Sequence, residues 1–394
     1  MAPGALIGAY QEDDSGGLRA LLPLAGRTLL EYQVRCASSA GAAPIVVVVE
    51  RVPQALQDAF ERLRLDGIGV FPVSDVHEAV SRFEAGSMIM LIGDGIVPPV
   101  ELVAQLAEES EPVVATLRDD EAHQAYERID AAARWAGVAL VNANMLGSTA
   151  AMLGDWDLQS TLLRRTLQDG ALRVSIPEGE VEPLLVDRAE QLHDFQRTMI
   201  TTSRGPRGDW VSRYVLPPIE DLATEQLMDG NVRPLWLVWT ALALTIGAAV
   251  AFLQGWPVLG LIFLIVSSPL DIIASRLAVL RLRPLPTRLI ARTALWPASG
   301  AALLALGWWD ARHASSWGAF LAAACAVAFA EATRIEKGAL PVPGQEWLVS
   351  RRGAMFAAIP FAIFGAWTAC ILFILLYAAL SFFYVQHARH LQRS

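Results

Sequence analysis

Met88-Ile89-Met90-Leu91-Ile92-Gly93-Asp94-Gly95 decides the fold of the first half of the chain. Five consecutive apolar residues leave no solvent-facing side, so the run reads as a strand buried on both faces. The Gly-Asp-Gly that follows ends the strand and sets a carboxylate at its carboxyl end. Comparable runs occur at Ala5–Ala9, Ile45–Val49, Ile68–Val73, Val113–Leu117 and Val138–Val141. Helical spacing fills Leu29–Ala40, Gln54–Leu65, Val76–Ala85 and Val100–Glu109. Buried strands alternating with helices predict an α/β domain with a mostly parallel sheet covered on both faces. Ligands on such sheets bind at the carboxyl ends of strands. A second acid, Asp187, follows Pro183-Leu-Leu-Val just before another helical pattern.

Charge separates the two halves. Residues 1–210 carry 31 acidic and 17 basic side chains, a net of −14; residues 211–394 carry 9 and 14, a net of +5, which together give −9. An acidic first half argues against nucleic acid as a partner, because phosphate neutralisation needs Lys and Arg. Lys337 is the only lysine, so every earlier basic residue is an arginine. Cys36, Cys325 and Cys370 are odd in number and widely spaced, which offers neither a disulfide framework nor a metal-ligand spacing. The first residues lack a charged n-region, and no cleaved signal peptide is expected.

Beyond residue 233 the chain turns apolar. Pro234–Gln254 spans 21 residues, enough for roughly 30 Å of hydrocarbon. Pro257–Ser275, Thr293–Trp309 and Ser316–Ala330 follow, and Gly353–Gln386 runs 34 residues without a charge. Pro360 and the Gly365-Ala-Trp367 step divide that last run into two short helices or kink a single one. Arg233, then Arg276 to Arg292, then Arg334 to Arg352, then Arg389 and Arg393 fall on alternate sides of successive spans. Six spans therefore satisfy the positive-inside rule, whereas five would export the basic tail. The expectation is an all-α six-helix transmembrane domain in the inner (cytoplasmic) membrane, with the soluble domain and both termini cytoplasmic. Trp236, Trp239, Trp256, Trp308, Trp309, Trp317 and Trp367 form the interfacial belt. His77, His123, His193 and His313 are isolated and read as structural; His387 and His390 lie where lipid headgroups would meet the tail. Domain limits fall at 1–202, 203–233 and 234–394.

Asp271 is the one carboxylate inside the second span. A charge at a bilayer centre costs roughly 2.5–3.5 kcal/mol on insertion scales, which marks it as a functional candidate or one half of an ion pair.

The order of motifs in the first half resembles the sugar-phosphate nucleotidyltransferases. Leu18-Arg19-Ala-Leu-Leu-Pro-Leu-Ala-Gly26-Arg-Thr-Leu-Leu-Glu-Tyr32 is similar to the family's P-K-x-L-L-P-[VL]-x-G-x-P-L-[LI]-x-[YH]. Asp94 and Asp187 stand where the family's two aspartates hold the divalent metal of a nucleoside triphosphate. The resemblance implies Arg19 and Asp94 as nucleotide-binding candidates, Asp94 and Asp187 as metal candidates, Mg2+ as cofactor and a CTP-like nucleotide as ligand. The family's glycine-rich phosphate loop is replaced by Ala9-Tyr-Gln-Glu12-Asp13-Asp14-Ser-Gly-Gly17. Three carboxylates there would repel phosphates, each pair costing on the order of 1–4 kcal/mol near a surface. Arg19 replaces the family's lysine and keeps its charge without the compact ammonium.

The junction around Asp209-Trp-Val-Ser212-Arg213 reads as a Pro/Gly linker running into an amphipathic segment. It resembles the D-G-x-x-S-R-x-x-x-R-P stretch of fusions joining an inositol-phosphate cytidylyltransferase to a CDP-alcohol phosphotransferase. Asp209, Ser212, Arg213 and Pro218 fall in register, and Pro217 replaces the second arginine. The phosphotransferase signature is D-x-x-D-G-x-x-A-R, about eight residues, then G-x-x-x-D-x-x-x-D. Its first aspartate is Asp271; Ala274, Arg292 and Trp296 occupy the other three, with Ser275, Val279 and Arg288 at the glycine, arginine and later-glycine positions. One carboxylate cannot build a two-metal site, so no metal is expected in the membrane half. Asp271 and Arg292 are expected to pair across the second and third spans, with Arg276 as the rival partner, and Glu331 to pair with Arg334 at i+3. The resemblance also implies a homodimer through the membrane domain and membrane lipids as partners.

Three functions follow: a catalytically degenerate relative of these fusions, acting as a binding or assembly partner in polar-lipid headgroup metabolism; an active nucleotidyltransferase making an NDP-sugar or CDP-polyol with a membrane anchor; and an anionic-lipid binding or transport module. For headgroup binding the candidates are Ser212, Arg213, Arg281 and Arg288, with Arg283 and Arg292 in the same cluster.

Overall fold

The computed structural model describes residues 2–152, 157–177, 181–202, 207–228, 230, 232–283, 285–286, 289–338 and 342–391. The chain divides into two compact units, Met1–Thr198 and Met199–Ser394.

In the first unit the strands are β1 (Gly4–Gly8), β2 (Pro23–Leu24), β3 (Arg27–Thr28), β4 (Ile45–Val48), β5 (Val70–Val73), β6 (Met88–Ile92), β7 (Ile96–Val97), β8 (Val113–Arg118), β9 (Ala133–Asn142), β10 (Leu172–Ser175) and β11 (Leu184–Leu185). The helices are α1 (Leu29–Ser39), α2 (Gln54–Leu65), α3 (Val76–Ser81), α4 (Val100–Ala107), α5 (Ala143–Ala150), α6 (Leu158–Gln168) and α7 (Ala189–Thr202). Seven strands form one sheet in the order β10-β8-β9-β6-β1-β4-β5. β9 alone runs against its neighbours; every other pairing in this sheet is parallel. The mostly parallel α/β architecture is thus as its sequence pattern predicts.

Met88–Ile92 is apolar throughout because β6 lies mid-sheet between β1 and β9. Ile89, Met90, Leu91 and Ile92 are all buried, and Leu6, Val46, Val114 and Val141 complete the core around them. α1 is started by Thr28, whose side chain accepts from the Glu31 amide while Glu31 returns the bond. That capping box fixes where the helix enters, which sets α1 against the sheet. Gly137 in β9 has φ +83°, and a Cβ there would lie 2.4 Å from the Ile96 side chain. Only glycine lets β7 pass this close.

The second unit begins with a π-helical turn, Val211–Val215, and α8 (Pro217–Met228), followed by α9 (Pro234–Leu253), α10 (Pro257–Leu280), α11 (Ile290–His313), α12 (Gly318–Lys337), α13 (Arg351–Ala357), α14 (Ile359–Ile363) and α15 (Trp367–Leu391). Among the described residues, four helices are long and apolar enough to cross a membrane: α9, α10, α12 and, within α15, Trp367–His390. The expectation of six spans is corrected in two places. α11 matches the others in length but carries Arg292, Asp310 and Arg312, which lower its hydropathy. The 34-residue apolar run is two short helical turns and one long helix, because Pro360 starts α14 and Gly365, at φ +66°, turns the chain into α15. Asp310 is buried and accepts from the Thr368 hydroxyl at 2.7 Å, which ties α11 to α15.

Gly137→Ala is expected to destabilise the first unit by at least about 1–2 kcal/mol, the cost of a side chain in a left-handed backbone, with the Ile96 clash added. A lowered denaturation midpoint with unchanged secondary structure by circular dichroism would bear this out.

Candidate functional site

β1 and β6 are adjacent and parallel, so their carboxyl ends open on the same edge of the sheet. The Gly93-Asp94-Gly95 turn leaves β6 there. Gly95 has φ +72°, and a Cβ would stand 2.8 Å from the Val186 carbonyl. This close approach lets the Val186 amide donate to the Gly95 carbonyl at 2.8 Å, while Leu184 and Leu185 pair antiparallel with Val97 and Ile96. Asp94 and Asp187 therefore lie on hydrogen-bonded neighbouring segments, although 93 positions separate them in sequence (187 − 94).

Asp94 is 4% exposed. Its Oδ2 accepts from the Tyr10 and Gln11 amides, both at 2.7 Å. Its Oδ1 is buried and has no hydrogen-bond partner among the described residues, and the same holds for Asp187 Oδ1. Burial pushes the Asp94 carboxyl up to about 6; the two amides and the charge of Arg19 offset part of that rise. Arg19 runs alongside the turn, its Cδ 3.1 Å from where a Gly95 Cβ would be, and donates to the Glu12 carbonyl and the Gln11 side chain. Among the described residues no three of His, Cys, Asp and Glu converge. Two carboxylates with unpartnered oxygens suit a magnesium ion, which is held by one or two carboxylates while substrate phosphates and water complete its shell.

The acidic loop behaves differently from its sequence. Glu12 pairs with Arg51 at 2.7 Å and Asp14 with Arg188 at 2.6 Å, so two of the three carboxylates are matched by arginines. Asp13 turns inward, and its Oδ1 accepts from the Ser15 amide, the Ser15 hydroxyl and the Gly17 amide. The loop's repulsion of phosphate is thereby relieved, but these two backbone donors already serve a carboxylate.

Two glutamines that the sequence left unremarked hold the turn. Gln33 on α1 donates to the Gly93 and Ile96 carbonyls at 3.0 and 2.7 Å. Gln159 on α6 donates to the Ile92 carbonyl and accepts from the Asp94 amide. Both are buried.

In the second unit the expected partner of Asp271 is wrong. Its Oδ1 accepts from Arg351 at 2.9 Å and its Oδ2 from Arg352 at 2.6 Å. Arg352 also donates to the Ser268 carbonyl and to Asp209. Arg292 is exposed near this cluster and makes no ion pair among the described residues. The rival, Arg276, is buried against Asp221 at 2.9 Å and Glu220 at 3.6 Å on α8. Glu331 does meet Arg334, and it also accepts from the Trp296 indole at 2.6 Å.

Two headgroup candidates are likewise corrected. Arg281 is 6% exposed and donates to the carbonyls of Leu227, Met228, Gly230 and Val232, capping the end of α8. Ser212 is buried and bonded to Asp209 through both its amide and its hydroxyl. Arg213 is exposed, 3.8 Å from Glu346 and over the Tyr214 ring. Arg288 lies outside the described residues.

Residues 15–175 match the family model of the MobA-like NTP transferase domain. Among solved structures, a Bacillus anthracis protein provisionally named a glucose-1-phosphate thymidylyltransferase is similar over 49% of this chain and 95% of its own, at 10% identity and a TM-score of 0.39. A comparison with curated proteins finds no match. Within the first unit, residues 15–175 are similar to that domain, and the match ends before the apolar helical second half begins.

Because the folded value of Asp94, about 6, lies above the unfolded carboxylate value of about 3.9, the native state holds this proton more tightly. The group costs stability above pH 6, and that cost disappears as pH falls through 6 towards 4. With chelator present, Asp94→Asn is expected to be more stable than the parent near pH 7, by up to about 3 kcal/mol. The two should converge below pH 4. Parallel pH profiles in thermal denaturation would contradict this.

Asp271→Ala is expected to cost about 3–5 kcal/mol, because it strands Arg351 without a counter-charge and leaves Arg352 only Asp209. Arg292→Ala should stay within about 0.5 kcal/mol. Unfolding of the two variants in detergent separates this arrangement from an Asp271–Arg292 pair, which would make them equally damaging.

Proposed function

We propose that the protein is a membrane-attached nucleotidyltransferase whose first unit binds a magnesium-complexed nucleoside triphosphate, CTP-like, at the Asp94–Asp187 edge of the sheet. The observation that carries this reading is the pair of buried, unpartnered carboxylate oxygens on segments joined through Gly95. Asp94 and Asp187 would hold the ion, which when bound neutralises phosphate charge. Arg19 supplies a fixed positive charge beside the same turn. Gln33 and Gln159 hold the turn rigid, so that the carboxylates need not reorganise when a ligand arrives. The acceptor would be a sugar or polyol phosphate. Arginine distribution supports a cytoplasmic first unit in a multi-pass protein of the inner membrane.

A second reading, a degenerate domain that binds nucleotide weakly and does not transfer it, is favoured by one feature. Asp13 occupies the Ser15 and Gly17 amides that a phosphate would otherwise use. It fits the degenerate membrane half, where Ala274, Arg292 and Trp296 stand in place of carboxylates and Asp271 is enclosed by two arginines. We do not extend metal-dependent phosphotransfer to that half.

The full chain in detergent, titrated with CTP, UTP, dTTP, GTP and ATP in millimolar Mg2+, tests both. Saturable binding that Asp94→Ala weakens on the order of tenfold or more, with pyrophosphate released on adding sugar or inositol phosphates, is the expected outcome. Binding without pyrophosphate favours the second reading. No binding to any nucleotide overturns both.

A further inference from the structure

Two cavities meet inside the second unit. The larger, about 690 Å³, has walls of Leu261, Leu264, Leu303, Met355 and Ile374 between α10, α11, α12, α13 and α15. The smaller, about 290 Å³, is lined by Asp209, Asp271, Arg292, Arg351 and Arg352. Trp296, Ser350 and Arg351 border both, so the apolar chamber opens on the charged one.

The charges of the smaller cavity do not cancel: three arginines face two aspartates, a net of +1. Arg352 is fully engaged with Ser268, Asp209 and Asp271. Arg351 gives one nitrogen to Asp271, while its Nη1 is buried and without a partner among the described residues. The Arg351 side chain is only 9% exposed, so that nitrogen is held out of bulk water at a cost. Arg292, on the same cavity, makes no ion pair among the described residues either. A single anion between these two guanidiniums would satisfy both and cancel the surplus charge. The chamber behind has the volume of a site for one small ligand, and its walls are mostly apolar, with Glu331 and Arg334 also on the lining, which suits an apolar tail better than a sugar or a base.

We propose that this double cavity binds a single-chain anionic amphiphile, its phosphate or carboxylate head between Arg292 and Arg351 and its tail in the apolar chamber. The proposal rests on the second unit alone and is independent of the nucleotide reading.

The test uses the full chain in a neutral detergent and four probes: oleoyl lysophosphatidate, dioleoyl phosphatidate, monoolein and inorganic phosphate. Binding is followed by native mass spectrometry and by a competition assay with labelled lysophosphatidate. Saturable, one-to-one binding of lysophosphatidate is expected, weakened about tenfold by Arg292→Gln, which removes one charged contact from an exposed position. Ala354→Leu, which narrows the chamber, should weaken lysophosphatidate while leaving the melting temperature unchanged. Monoolein binding as tightly as lysophosphatidate would overturn the anion site, and inorganic phosphate binding as tightly would overturn the tail chamber. Dioleoyl phosphatidate displacing lysophosphatidate at equal concentration would overturn the single-chain assignment. An Arg292→Gln variant with parental affinity would overturn the placement of the head.

Discussion

A carboxylate removed from water must be met by hydrogen bonds or opposite charge, or its burial destabilises the fold. This protein meets that constraint in two opposite ways, and the difference separates its two units. At Asp271 both oxygens are consumed by Arg351 and Arg352, and Arg352 draws in Asp209 and the Ser268 carbonyl as well. Two guanidiniums held this close to the carboxylate repel a metal cation there. At Asp94 one oxygen is anchored by the Tyr10 and Gln11 amides and the other is left without a partner. That arrangement costs stability, which is why the carboxyl is pushed up towards 6. A group kept partly unsatisfied in a rigid turn is what a binding site needs, and what a structural ion pair avoids.

The acidic loop at 12–14 sharpens the contrast. As a string of charges it looks hostile to phosphate. Folded, Arg51 and Arg188 answer Glu12 and Asp14, though such exposed pairs contribute only about 0–1 kcal/mol each. Asp13 has the larger consequence, because it takes the loop's own amides. Under the nucleotide reading, a phosphate at this edge would have to displace Asp13 from them.

The strands were legible where burial is total. Met88–Ile92 and Gln54–Leu65 have the limits their periodicity predicts, since a mid-sheet strand and a helix with a regular apolar stripe carry their pattern in every residue. β10 was not legible: it is an edge strand, largely exposed, with Arg173 in its middle, and nothing in Leu-Arg-Val-Ser resembles a core run. Of β9 only Val138–Val141 stood out, because Ala133 to Gly137 have little strand character and pair through tertiary context. The apolar second half reads as six spans, but among the described residues four helices are long and apolar enough to cross a membrane, because hydropathy alone does not separate a proline-broken turn from a crossing helix.

By itself the sequence determined the mostly parallel α/β fold, the apolar helical second half, and the positions of Asp94, Asp187 and Asp271 as carboxylates in unusual surroundings. Composition and periodicity are local properties, and each of these features is local. The tertiary structure decided which atoms face which. It set the Asp187 segment against the Asp94 turn through Gly95, whose missing Cβ leaves room for the Val186 carbonyl. It also gave Asp271 partners 80 and 81 positions away rather than the arginines nearest in the motif. Partner choice for a buried charge follows from packing geometry and desolvation, and chain spacing carries neither.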